Sequence, residues 1–160
     1  MTVDDKGRLL DLLSGTHTKI LAVLKEVDLE MPVYKDGSWR IRDILGHIAT
    51  WDRQVTLSLR AYSQGKEYAV PDFDEDGFNE EDVKRQQALT SEQIYGEWRT
   101  ARGMFKDVVR DMPRNLFPGD LLYPWGDERG TIEKLVTEMC DHDEEHYTEI
   151  TKAIETFPLQ

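Results

Sequence analysis

Four stretches of this 160-residue chain repeat apolar residues every three to four positions, and no stretch alternates apolar and polar residues for long. That spacing lays an apolar stripe along one side of a helix, and a stripe must be covered by another element. The first stretch runs from Thr2 to Asp28 through Leu9, Leu13, His17, Ile20, Leu24 and Val27. Thr2 can cap it, and Asp4 and Asp5 suit the positive end of the helix dipole. The second runs from about Ile41 to Tyr62 through Ile44, His47, Ile48, Trp51, Val55 and Leu59, with Asp43 in its first turn. The third opens at Thr90, with Gln93 at capping-box spacing, and passes Ile94, Trp98, Ala101, Phe105 and Val109 before Pro113 stops it. The fourth, capped by Thr131, runs from Ile132 to about Phe157 through Leu135, Val136, Met139, His142, His146, Ile150 and Ile154. With no strand pattern to pair with, the four cover one another. The chain is expected to be all-α, one antiparallel-type four-helix bundle over residues 1–160.

The connections refine this. Pro32 and Asp36-Gly37 break the chain between the first two helices. Residues 64–76 exceed an ordinary helix–helix connection, which predicts a long crossover between helices 2 and 3. The acid run Asp72 to Asp76 reads as a solvated loop, because the EF-hand spacing and its glycine are not matched. Phe78 to Ala88 fits a short polar helix on the bundle surface. Residues 115–130 read as a loop carrying Phe117-Pro118-Gly119 and Tyr123-Pro124-Trp125-Gly126. Such an aromatic loop serves either as a pocket wall or as a plug over the core.

Acidic residues outnumber basic ones 32 to 20, for a net charge of −12. A field of that sign repels phosphate backbones and anionic lipids, and no basic stripe is present, so neither nucleic acid nor membrane is expected as a partner. A chain of this size buries roughly 70% of its unfolded surface, enough for a core without staples. One cysteine, Cys140, excludes an internal disulfide framework, and no secretory signal is legible at the N-terminus. A cytoplasmic location fits both.

Three of the four histidines stand out. His142 and His146 lie four apart, one turn on the same helix face, where two neutral imidazoles can share one divalent metal such as zinc. His47 sits centrally on the stripe of helix 2. Three imidazoles buried without a common partner would leave several ring nitrogens unsatisfied, and one metal satisfies them together. A three-histidine site keeps an open position, as catalytic metals do. Asp143, Glu138 and Glu149 are near enough to orient an imidazole from behind. The H-x-x-E-H pattern of one metalloprotease class is met, but such enzymes draw a further ligand from well downstream. His17 is read either as a half-buried histidine with a hydrogen-bond partner or as an extra ligand. Cys140 is read as a buried thiol, since its acidic neighbours disfavour a thiolate. Tyr123, Trp125 and Trp51 are the candidate substrate wall.

The sequence resembles the DinB/YfiT-like superfamily of damage-inducible and thiol-transferase-type bundles. The resemblance is carried by Trp39-Arg40-Ile41-Arg42-Asp43-Ile44-Leu45-Gly46-His47-Ile48-Ala49-Thr50-Trp51, by Phe78-Asn79, and by His142-Asp143-Glu144-Glu145-His146-Tyr147-Thr148-Glu149-Ile150. It implies a bundle with a long crossover, a zinc or nickel ion on residues 47, 142 and 146, and a homodimer. Two departures are visible. Arg40 stands where relatives often have a Ser or Thr cap. His142 stands where some relatives, the maleylpyruvate isomerases among them, have Glu. The resemblance implies transfer of a low-molecular-weight thiol to an electrophilic small molecule, thiol-assisted isomerisation, or hydrolysis. The alternative is a DfsB/ClbS-like protective protein that sequesters a ligand.

Overall fold

The computed structural model describes residues 3–157. Thr2, the expected cap of the first helix, and the side chain of Asp4 lie outside the described residues. The long helices are α1 (Val3–Val23), α2 (Ile41–Ser63), α4 (Ser91–Asp111) and α5 (Ile132–Thr156), with a shorter α3 (Glu75–Gln86) in the crossover. They form the expected four-helix bundle. α1, however, stops five residues short of the expected Asp28. The apolar spacing persists to Val27, but after Val23 the backbone closes three-residue turns, Leu24 N–H to Leu21 and Val27 N–H to Leu24. The chain then turns back so that Met31 and Val33 fill the end of the core.

That return segment also caps α2. Arginine has no acceptor atom, so Arg40 cannot cap as Ser or Thr would. Instead the Leu29 and Met31 carbonyls accept from the N–H groups of Arg42 (2.9 Å) and Ile41 (3.0 Å). Asp43 accepts from the Arg40 N–H at 2.9 Å. The free donors at the helix start are thereby met. At α4 the capping box forms as expected, with Thr90 accepting from Gln93 N–H and Gln93 from Thr90 N–H.

Cross-helix bonds fix the directions. Lys6 reaches the Met112 carbonyl and Arg102 the Leu13 carbonyl, so α1 and α4 are antiparallel. Lys19 pairs with Glu144, and Arg8 with Glu133, so α1 and α5 are parallel. Arg42 bonds Ser91 and Arg102 bonds Asp52, so α2 and α4 are parallel too. α1 and α2 therefore lie across one diagonal of the bundle and α4 and α5 across the other. α2 and α4, though successive, pack side by side and parallel, unlike an up-and-down antiparallel bundle. Parallel neighbours need a full-length return, which is what the crossover through α3 supplies.

α3 begins earlier than expected because Asp74 accepts from Gly77 N–H at 3.1 Å, which makes Glu75 and Asp76 its first turn instead of loop. It runs antiparallel along α2, seated by Thr50–Asp82 and by Gln86. Gly46 makes room for it: a Cβ there would fall 1.7 Å from Gln86 Oε1. The 115–130 segment holds a two-residue antiparallel ribbon, β1 (Leu121–Leu122) with β2 (Arg129–Gly130), closed by Gly126 at φ +87°. Too short to show as alternation, this ribbon escapes the sequence.

The core divides into two apolar halves. One gathers Leu9, Leu13, Val55, Leu59, Phe105 and Leu135. The other gathers Ile20, Ile44, Ile48, Ile94, Trp98 and Ile150. Between them every long helix contributes a polar residue at the same level: Thr16 from α1, Asp52 from α2, Arg102 from α4 and Asp143 from α5. Among the described residues no helix is long and apolar enough to cross a membrane.

Candidate metal centre

α2 and α5 face one another, and their stripes bring His47 against His142 and His146. The Nε2 atoms of His47 and His142 are 3.3 Å apart, and those of His142 and His146 3.0 Å. Two nitrogens bound at ~2.0–2.1 Å to one tetrahedral ion lie about 3.3 Å from each other, so the spacing fits such an ion. All three residues can present ligand atoms within 4.8 Å of one another. His142 Nε2 offers either one proton or one in-plane lone pair, so it satisfies at most one of its two imidazole neighbours well; a shared cation takes a lone pair from each ring and removes that conflict.

Neighbours hold the rings in the ligating form. Glu149 Oε1 lies 2.6 Å from His146 Nδ1, which places the proton there and leaves the Nε2 lone pair inward. Tyr34 donates its hydroxyl to the other oxygen of Glu149. Burial pushes the Glu149 carboxyl up, but the bonds from His146 and Tyr34 outweigh it and hold it below its usual range. The edge of Trp39 restrains His47 at a ring distance of 5.4 Å. Burial, then the neighbouring imidazoles, lowers His47 to about 3 and His142 to about 4, so both are neutral at physiological pH.

His47 and His142 line a cavity of about 360 Å³, within the range of small-molecule sites. Trp51, Phe73 and Trp125 form its aromatic wall, and Glu75, Asp127 and Glu138 its acidic rim. The 115–130 segment thus supplies a pocket wall through Trp125 and a core plug through Tyr123, and both readings of that loop are realised. Tyr123, expected in the substrate wall, is fully buried behind Trp125 and donates its hydroxyl to the Thr131 carbonyl at 2.6 Å.

The expected supporting acids separate. Glu149 meets an imidazole. Glu138 lines the cavity and contacts Lys134 at 3.9 Å instead of a histidine. Asp143 turns away from the imidazoles, because on α5 it points to the bundle axis. There it joins Asp52 about the Arg102 guanidinium. Arg102 Nε is 2.8 Å from Asp52 and its Nη1 2.8 Å from Asp143, while Thr16 donates to Asp143 at 2.6 Å. With the Leu13 carbonyl, every guanidinium N–H has an acceptor. Burial, more than the nearby Asp143, raises Asp52 despite the arginine. Sequence reasoning missed this triad. Its signal was available: Asp52, Arg102 and Asp143 each fall on an otherwise apolar stripe, and their charges are complementary.

His17 stands apart from the metal trio. It is half-buried, as expected, and stacks on Trp98 at 3.9 Å, but its Nδ1 meets no hydrogen-bonding group among the described residues and it does not join the ligand trio. Cys140 is a buried thiol; burial, then Asp143, pushes it up to about 11, against a nucleophilic role.

A family model described as the mycothiol maleylpyruvate isomerase N-terminal domain matches residues 10–117. The chain belongs to this family, within the DinB/YfiT-like group. The match includes His47 and ends before α5, so it does not bear on the departure at His142. YfiT from Bacillus subtilis, a probable metal-dependent hydrolase with an unusual four-helix bundle topology, superposes with a TM-score of 0.78 at 16% identity. That alignment covers 100% of this chain and 91% of YfiT. The mycothiol-dependent maleylpyruvate isomerase superposes with a TM-score of 0.74 at 12% identity, over 90% of this chain and 60% of the isomerase. TT2238, a four-helix bundle protein, gives 0.62 at 18% identity over 92% and 98% of the two chains. At these identities the likeness is one of fold. No curated protein matches the chain by sequence.

Proposed function

We propose that this family member is a metal-dependent small-molecule enzyme, a thiol S-transferase or hydrolase acting on electrophilic compounds, with zinc or nickel on His47, His142 and His146. The observation that carries the reading is the convergence of three imidazole nitrogens beside an aromatic cavity that His47 and His142 line. A metal held there supplies Lewis acidity, lowering the pKa of a bound water or thiol or polarising an electrophile. The chain does the rest. Glu149, steadied by Tyr34, keeps the His146 proton on Nδ1. Trp51, Phe73 and Trp125 hold an apolar substrate body and exclude water. Glu138, whose carboxyl burial pushes up, with Glu128 adding, stands at the wall to accept a proton from thiol or water.

Metal analysis of protein purified without a histidine tag tests the site: about one ion per chain is expected, lost in His47→Ala and His142→Ala. Bacillithiol, mycothiol and glutathione are then offered with a haloaromatic acceptor, and hydrolysis is followed without thiol. A chain that carries no stoichiometric ion sinks the proposal.

A further inference from the structure

We infer that the cavity lined by His47 and His142 selects a substrate bearing a cationic group, an ammonium or amidinium, on an apolar body. This rests on the cavity's being the active site and names the class of compound it takes. Three aromatic rings make one wall: Trp51 meets Phe73 edge-on at 5.5 Å and Trp125 at 6.1 Å. Such faces attract a desolvated cation. Three carboxylates, Glu75, Asp127 and Glu138, share the lining, and no Lys or Arg does.

The donors that an anion would need are already engaged. Trp51 Nε1 bonds Asn79 at 3.3 Å, and Trp125 Nε1 bonds Glu128 at 2.8 Å. Lys134, one turn from Glu138 on α5, is drawn to Glu128 at 2.9 Å and only grazes Glu138 at 3.9 Å. His47, 7% exposed, turns its Nε2 to the other imidazoles and not to the wall. A carboxylate or phosphate against this wall would lose its water and gain no donor. The one place for negative charge is the ion itself, which suits a reacting thiolate or an electrophile's oxygen. Positive charge at the reactive floor and negative charge at the rim thus impose an orientation on a substrate cationic at its far end.

The test is calorimetric titration of the metal-containing protein with three compounds of similar shape: 2-phenylethylammonium, 2-phenylethanol and 3-phenylpropanoate. The ammonium compound is expected to bind at least tenfold more tightly than either of the others, with a preference that shrinks as salt is raised. In a Glu75→Gln, Asp127→Asn, Glu138→Gln variant the preference falls to about twofold or less, with metal content unchanged. Equal or tighter binding of the carboxylate overturns the inference. So does a preference that survives in the variant, or no binding of the ammonium compound at millimolar concentration. Metal content measured on the same samples separates the two readings. A protein with its ion but no charge preference loses this inference alone, and a metal-free protein that keeps the preference loses the enzymatic proposal alone.

Discussion

Glu149 shows how a single side chain sets the chemistry of another. By accepting a hydrogen bond from His146 Nδ1–H it fixes which nitrogen faces the other two imidazoles, and Tyr34 fixes Glu149 in turn. Removing such a support costs roughly 10–100-fold in metal affinity. Glu149→Gln is therefore expected to weaken zinc or nickel binding by that factor in a chelator competition, and Tyr34→Phe by less; an unchanged affinity in Glu149→Gln would remove the supporting role. The same imidazoles make the metal-free protein acid-sensitive. His17, His47 and His142 are all held below the free value of 6.5, to about 4, 3 and 4, chiefly by burial. The unfolded chain then binds more protons than the folded one below that value, so stability is fully present above pH 6.5 and is lost as pH falls towards 4. Each well-buried histidine adds a slope of about 1.4 kcal/mol per pH unit. Asp52, raised by burial, acts in the opposite sense and offsets part of it. Urea denaturation of metal-free protein across this range checks the sign.

At the scale of elements, α3 depends on the absence of one carbon. Gly46→Ala would drive a methyl into the buried Gln86 amide, which also bonds Asp82 and Thr50. A loss of about 1–3 kcal/mol is expected, the ordinary cost of overpacking, read by thermal or urea unfolding. The elements also show what a lone sequence makes legible. The long helices and the caps at Thr90 and Thr131 follow from local chemistry, because a stripe and a capping oxygen act within a few residues. The end of α1 does not, because Met31 and Val33 are drawn to a core made by distant segments. The histidine trio was legible, since each member sits on a stripe and stripes meet. For Asp143 the stripe marked an inward carboxylate, but which cation it meets was not legible from local spacing, because Arg102 lies on α4, 41 residues away.

For the molecule as a whole, the layer around Arg102 ties all four long helices together, with Thr16 and the Leu13 carbonyl joining from α1. Its guanidinium balances one of two buried carboxylates, so the layer tolerates partial loss poorly. Arg102→Met leaves Asp52 and Asp143 buried without their cation and is expected to cost about 3–5 kcal/mol in equilibrium unfolding. Replacing all three by apolar residues of similar volume is expected to recover most of that loss. A triple variant no more stable than Arg102→Met would contradict the argument.

His47 and His142 stand 95 residues apart in the chain yet almost touch in the fold. During synthesis, α2 leaves the ribosome long before α5 exists. No ion can be captured by the complete trio until the last long helix has docked along its partners. Loading of the proposed ion is therefore expected to be a late event in biogenesis, and a chain interrupted ahead of α5 would lack two of the three nitrogens offered to it.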